Sequence, residues 1–538
     1  MRAKGISRAR PGYDFWWLGG LLACLVLWLA GGAPLFALLS RGSHQEADVW
    51  LDPYLRHVVL FTLEQATLSA LLSLLLAIPI ARALHRRSFP GKQLFIRLLS
   101  VSQVLPVIIA LFGIVAVHGQ QGWLANLLTA IGLKGGNYLY GLSGILLAHL
   151  FFNLPLATRW LLTSLENIPP ENWRLATQLG MPSRSLWRYL EWPAMRGQVL
   201  PLVSLIFMLC FSSFTTVMAL GGGPAATTLE VAIYQAVRFD FELDTAASLA
   251  ICHMLLSGSV LLLHHCQSIR LPRSNTRLTI TERPPQAGWR ARVTDSVGIL
   301  LLMLLYLPPL IAILLGGLQP ALWDAFWMPA LWQGLWCSLK IALSAATLSC
   351  LLAVLLLGSC RHLRLRLHHP HWATFFESNG SLILLVPTSV LSTGLFILLL
   401  PFTDLFAWGF WLVILLNSIA ALPYTLRSLH PVLHHTAQEY DRLASSLGLK
   451  GMQRWRHLEW PRLRPALAQA AAFAAIFSLG DLGAVAMFGS QELQTLPWLL
   501  FQQLGSYQLP QAAATALLLL LLCLGLFYLV ERGLGDKR

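Results

Sequence analysis

The sequence predicts an all-α, polytopic membrane protein of about twelve transmembrane helices, arranged as two homologous six-helix halves. Three observations predict it: an apolar excess too large for a water-soluble fold, a one-sided placement of Lys and Arg, and an internal duplication. Of the 538 residues, 56% are hydrophobic and only 12% are charged, about half the charged share of a soluble globular chain. One span takes about 20 mostly apolar residues. Twelve of them leave enough chain for connecting loops and none for a large soluble domain.

Apolar stretches of helical length fall near 16–39, 57–81, 95–117, 139–162, 199–220, 245–266, 295–317, 332–358, 379–400, 405–426, 465–488 and 512–530. The first follows Arg2, Lys4, Arg8 and Arg10 and is too long for a signal-peptide core, so it reads as a retained helix. The outer turn between the ninth and tenth, around Pro401, is very short. Twelve spans put both termini on one face, and cytoplasmic loops accumulate Lys and Arg. With the N-terminus cytoplasmic, only Arg41, Arg56, Lys134, Arg238 and Lys340 of the 38 basic residues fall on the outer face. The net charge of +14 is therefore membrane orientation rather than a nucleic-acid footprint. Trp16, Trp17, Trp50 and Trp332 near span ends suit interfacial belts. The eight cysteines show no C-x-x-C spacing and read as buried small hydrophobes.

The duplication sets Glu171–Pro193 against Glu439–Pro461 at a constant offset of 268, with 12 of 23 positions identical. Leu154-Pro155 and Arg159 match Leu422-Pro423 and Arg427, Gly221 matches Gly489, and Pro106 and Gly113 match Pro387 and Gly394. Glu64 and Lys340 fall at equivalent places near the starts of spans two and eight. The copies share one orientation, which makes the repeat parallel, with a pseudo-two-fold axis along the membrane normal. The first half is 1–267 (spans 1–6, loop 166–198), the second is 294–538 (spans 7–12, loop 428–464), and a basic linker, 268–293, joins them.

The repeated loop between spans four and five of each half holds most of the information. Pro170 cannot donate an interior helical hydrogen bond, so a helix starts near Glu171. Leu175 and Leu179 share a face, and Gly180 tolerates a left-handed cap. A second short helix is expected over about 184–191, before Pro193. The copy from Glu439 repeats the pattern with Leu443, Leu447 and Gly448, and small residues recur at Ala176 and Ala444. Periodicity alone leaves two readings open: surfaces gripped by a partner, or amphipathic helices lying on the bilayer. Six-span parallel halves equally suit an ion-coupled secondary transporter.

At these residues the chain resembles the permease subunits of ATP-binding-cassette importers, whose hallmark is a cytoplasmic loop E-A-A-x-x-x-G followed by a proline. The pattern falls on Arg174-Leu175-Ala176, Gly180 and Pro193, and again on Arg442-Leu443-Ala444, Gly448 and Pro461. The motif's Glu is Arg in both copies, which removes the carboxylate through which that residue would pair with the ATPase. The resemblance implies a type I importer fold and a coupling role for Arg174, Leu175, Ala176, Leu179, Gly180, Arg442, Leu443, Ala444, Leu447 and Gly448. It also implies two copies of a cytoplasmic ATPase, a periplasmic substrate-binding protein, and an inner-membrane location. Three stretches, Tyr140–Pro169, Ala219–Val237 and Ser478–Gly489, look most like fused permeases that carry thiamine and its phosphates; another cargo, such as ferric iron or an oxyanion, is the alternative.

No cofactor is expected on the chain itself. A phosphate-binding loop needs G-x-x-x-x-G-K-[ST], and the one Gly-Lys pair, Gly91-Lys92, is preceded by Arg86 and followed by Gln93. ATP is therefore expected to be hydrolysed by the partner, and no cluster of acid, base and nucleophile suggests a catalytic residue. His362, His368, His369 and His371 have no companion carboxylate until Glu377, so no metal site is expected. Charges inside spans are expensive. Asp481 and Glu64 are the candidates for a pathway that takes a cation, against the simpler reading that Asp481 caps a neighbouring helix and Glu64 sits near the interface.

Overall fold

The computed structural model describes residues 16–42, 52–103, 105–133, 136–266, 288–365, 369–382, 386–449, 451–490 and 493–534. The basic N-terminal segment, Trp50, Lys134, most of the 268–293 linker and His368 lie outside them. All regular structure among the described residues is helical. Ten described helices are long and apolar enough to cross a membrane.

The first half opens with α1 (Trp16–Leu27), which passes through a π turn into α2 (Ala33–Gly42). Then come α3 (Pro53–Arg86), α4 (Lys92–Leu99), α5 (Val107–His118), α6 (Leu142–Glu166) and the short α7 (Pro170–Gln178). The half closes with α8 (Trp192–Phe211), α9 (Phe214–Leu220), α10 (Leu229–Arg238) and α11 (Leu243–Cys266). The second half holds α12 (Trp289–Gly317), α13 (Pro329–Leu365), α14 (Pro370–Leu382), α15 (Thr388–Leu399) and α16 (Gly409–Ser446). It ends with α17 (Trp460–Leu479), α18 (Gly483–Phe488), α19 (Leu496–Gly505) and α20 (Leu509–Leu534).

Four expected spans are interrupted in the structure. The third and ninth spans, expected as single helices over 95–117 and 379–400, are interrupted at the equivalent Pro106 and Pro387. Each proline lies in extended backbone at the N-cap of the next helix, α5 or α15, because proline supplies no N–H and disfavours helix before it. The fifth and eleventh, expected over 199–220 and 465–488, stop at Phe211 and Leu479 and resume as α9 and α18. Neither α15 nor α17 is among the ten long apolar helices; α15 is 12 residues long.

The two sequence copies are interleaved in space. Helices α1 and α2 pack against α13 and α15 of the second half, while α12, the second half's first helix, packs against α3 and α5 of the first. Trp28 Nε1 donates to Asn379 Oδ1 at 3.0 Å, and Tyr306 donates its hydroxyl to the Leu98 carbonyl at 2.7 Å. The equivalent glycines Gly113 and Gly394 sit at the closest approaches. A Cβ on Gly113 would lie 2.5 Å from the carbonyl oxygen of Pro309, and one on Gly394 2.7 Å from that of Pro34. Small residues at such crossings let backbones touch, which drives helix association in lipid.

Helices α10 and α19 are held by one device in each half. Thr62 on α3 accepts from the backbone N–H of Leu229 at 2.9 Å, and Ser338 on α13 accepts from Leu496 at 2.8 Å. Both hydroxyl residues are buried.

Candidate coupling surfaces and pathway seam

Each copy of the repeated loop ends in the same cap. In the first, Glu171 lies in the opening turn of α7, where a carboxylate suits the positive end of the helix dipole. Trp173 and Ala176 are buried and Leu175 and Leu179 are exposed. Trp173 faces His85 at the end of α3, with ring centroids 5.3 Å apart. Gly180 takes φ +58°, and the N–H of Met181 reaches back to the carbonyl of Ala176 at 3.0 Å. In the second copy Gly448 takes φ +67°, Leu449 donates to the Ala444 carbonyl at 2.9 Å, Ala444 is buried and Leu447 is exposed. This backbone bond from the residue after a left-handed glycine is the Schellman closure. A Cβ on either glycine would meet nothing within 4 Å, so the two caps are open on their outer side. Arg174 is exposed, and of Arg442 and Leu443 the structure describes the backbone only.

The two knobs are built differently upstream. The first is a separate helix, because Pro169 and Pro170 break the chain after α6. The second is the last stretch of α16, which runs 38 residues without interruption. A separate helix from Glu439 was the expectation; Thr436-Ala437-Gln438 stand where Ile168-Pro169-Pro170 stand in the first copy, and nothing there stops a helix. The expected short helix over 184–191 is also continuous with the next element. Residues 187–191 form a π turn leading into α8, and 455–459 form the matching turn leading into α17. These turns bring the chain into Pro193 and Pro461 at the first helical turn, where a missing N–H costs nothing.

Asp481 lies between α17 and α18 rather than inside a helix. Its Oδ1 accepts from the N–H groups of Gly483 at 3.1 Å and Ala484 at 3.5 Å, the capping role that was the simpler expectation, while its buried Oδ2 has no partner among the described residues. Glu230, on α10 of the other half, is buried and lies within electrostatic reach of Asp481. It accepts from Ser389 Oγ of α15 at 3.1 Å, so its carboxylate sits on the seam between the halves. Phe214 borders the same seam: a Cβ on Gly483 would touch its ring edge at 3.7 Å, and the ring stands edge-on to Tyr234 at 5.4 Å. Glu64 is not part of this group. It is exposed on α3, two residues past Thr62 and hence about 200° around the helix from the face that holds α10.

Glu230, Glu191 and Glu459 were not among the residues expected from sequence. Glu191 and Glu459 could have been found, since both lie in the Leu-Glu-Trp-Pro stretch that is identical in the two copies.

Residues 287–532 match the family described as the binding-protein-dependent transport system inner membrane component. The whole chain is similar to the thiamine transport system permease protein ThiP of Escherichia coli (strain K12), with 44% identity over 98% of each chain. The chain belongs to this permease family. It is also 40% identical to the ThiP permease of Brucella abortus (strain 2308), over 97% of this chain and 95% of that one. The sulfate transport system permease protein CysT of Salmonella typhimurium is 26% identical over 96% of its own length but only 50% of this chain. That match therefore spans about half of this chain and nearly all of the sulfate permease. As a permease of this family, the chain is an inner-membrane component of a transport system that depends on a binding protein.

Proposed function

We propose that this permease imports thiamine and its phosphates by alternating access, powered by two copies of a cytoplasmic ATPase and loaded by a periplasmic substrate-binding protein. Both termini then face the cytoplasm, and the chain itself holds no cofactor and hydrolyses no ATP. The observation that carries the reading is the pair of identically capped knobs, at Ala176–Gly180 and Ala444–Gly448, on a body whose halves are interleaved. The exposed residues Arg174, Leu175, Leu179 and Leu447 form the surface offered to the ATPase, and Arg442 and Leu443 are assigned the same role from the sequence repeat alone. A partner can move such a body only if it grips the two states differently, and two matched grips give it leverage on both halves.

The cargo follows from the seam. Two carboxylates, Glu230 and Asp481, with the Phe214 and Tyr234 rings nearby suit the aromatic cation that thiamine and its phosphates share, through ion pairing and cation–π attraction. The pathway role is proposed for Asp481 rather than for Glu64. Reconstitution in proteoliposomes with the ATPase and the binding protein tests the proposal. Uptake of labelled thiamine should require hydrolysable ATP, and equal accumulation with a non-hydrolysable analogue would refute it.

A further inference from the structure

Next to each knob the structure buries a carboxylate. Glu191 and Glu459, in the two π turns, are 0% and 3% exposed. Glu191 receives Arg82 at 2.6 Å and Arg86 at 2.8 Å, both from the cytoplasmic end of α3. Arg86 reaches both carboxylate oxygens, and Arg82 also lies over the Trp187 ring, 4.2 Å from its centroid. Glu459 receives Arg361 of α13 at 2.7 Å and Arg454 of its own segment at 2.8 Å. Removing one partner from a buried ion pair strands the other without compensation, so such pairs resist separation. Two-oxygen contacts from guanidinium also fix orientation. The π turn, often a functional device within helices, is repeated at the same place in both copies. One residue beyond Arg86, Arg87 Nε donates to Asp295 of α12 at 2.8 Å, which carries the link into the other half.

We propose that Glu191 and Glu459 are positioning residues for transport: they lock each knob to the end of α3 or α13, so that a displacement of the knob moves the membrane helix with it. This rests on the ATP-driven reading above. The locks are unequal. Among the described residues, the arginines on Glu191, Arg82 and Arg86, both come from α3, whereas Glu459 is paired with Arg361 of α13 and Arg454 of its own segment. The first copy therefore transmits more of the stroke.

The test uses the complete complex of permease, ATPase and binding protein in proteoliposomes. It measures bound ATPase, ATP hydrolysis, and thiamine taken up per ATP consumed. Wild-type complex without ATP-dependent uptake would remove the ATP-driven reading itself, and with it this proposal. Given wild-type uptake, the Glu191→Gln/Glu459→Gln pair should keep the ATPase bound and hydrolysis within about twofold of wild type, while uptake per ATP falls at least tenfold. Glu191→Gln alone should lose more than Glu459→Gln alone. The shorter but still charged Glu191→Asp should fall between Glu191→Gln and wild type, and the exchange Glu191→Arg/Arg86→Glu should recover part of the ratio. An unchanged ratio in the double variant overturns the proposal. So does loss of the ATPase or of folded permease in every variant, Glu191→Asp included, because the carboxylates would then serve assembly alone.

Discussion

Ser338 on α13 accepts a 2.8 Å hydrogen bond from the backbone N–H of Leu496, the first residue of α19. Thr62 does the same for Leu229 in the first half. Buried backbone donors without partners are costly, about 1–3 kcal/mol each, so these hydroxyls fix the two short helices to their spans. Thr62→Val keeps the side-chain shape and removes the acceptor. It is expected to destabilise the folded permease by about 1–3 kcal/mol, and thermal unfolding in detergent should show a lower Tm for Thr62→Val and Ser338→Ala than for wild type. An unaltered Tm in both would mean that the amides find other partners.

The interleaving depends on Gly113 and Gly394. Each lies where a side chain would strike backbone atoms of the exchanged first helix. Gly113→Leu and Gly394→Leu are expected to cost about 1–3 kcal/mol or more by overpacking. The measurement is the fraction of monodisperse protein after size-exclusion chromatography, set against Gly258→Leu. Gly258 lies within α11 and has nothing within 4 Å of an added Cβ, so this control carries the same substitution in a helix without the backbone clash. Equal recovery of all three would show that the helices pass at a greater distance.

Gly180 and Gly448 separate a grip from a fold. Their φ values are left-handed and an added Cβ meets nothing within 4 Å, so Gly180→Trp and Gly448→Trp cost about 1–2 kcal/mol of backbone strain each and start from open space. The bulky rings project from the knobs. Co-purification of the ATPase should fall in the single variants and be lost in the double variant, with membrane insertion intact. Full retention of the ATPase by the double variant would place the docking surface elsewhere.

Asp481 is tested through its charge. Asp481→Asn keeps an oxygen to accept from Gly483 and removes the anion, so the cap should survive. Uptake of thiamine is expected to fall about tenfold, equivalent to about 1.4 kcal/mol, with the ATPase still bound. If uptake is unaffected, Asp481 is a cap and nothing more.

The duplication made the paired caps legible: a glycine four residues after an alanine, twice at the same offset, was enough to place both left-handed turns. Where the chain stops being helical was written less openly. Pro106 and Pro387 sit inside apolar runs, and hydropathy averaged over a span passes across them. The continuity of α16 through 436–438 was present in the sequence as the absence of Pro169 and Pro170, a difference that the similarity of the copies obscures. Which helix neighbours which could not be read at all, since Trp28 and Asn379 lie far apart in the chain and nothing in an apolar stretch announces its partner. Glu191 and Glu459 were visible as identical residues. Their burial was not, because a charge near the end of a span ordinarily reaches water.

The exchanged first helices bear on how the protein is made. Helix α1 leaves the ribosome on the order of tens of seconds before α13 and α15, at ordinary rates of synthesis. Throughout that interval its Gly19 and Gly20 face, which later lies against Leu355 and Ser359 of α13, has only lipid or a chaperone to rest on. The newborn chain must hold its opening segment in reserve until the second copy is translated, so joining both copies in one polypeptide guarantees that the awaited docking site arrives in the same membrane and in equal number.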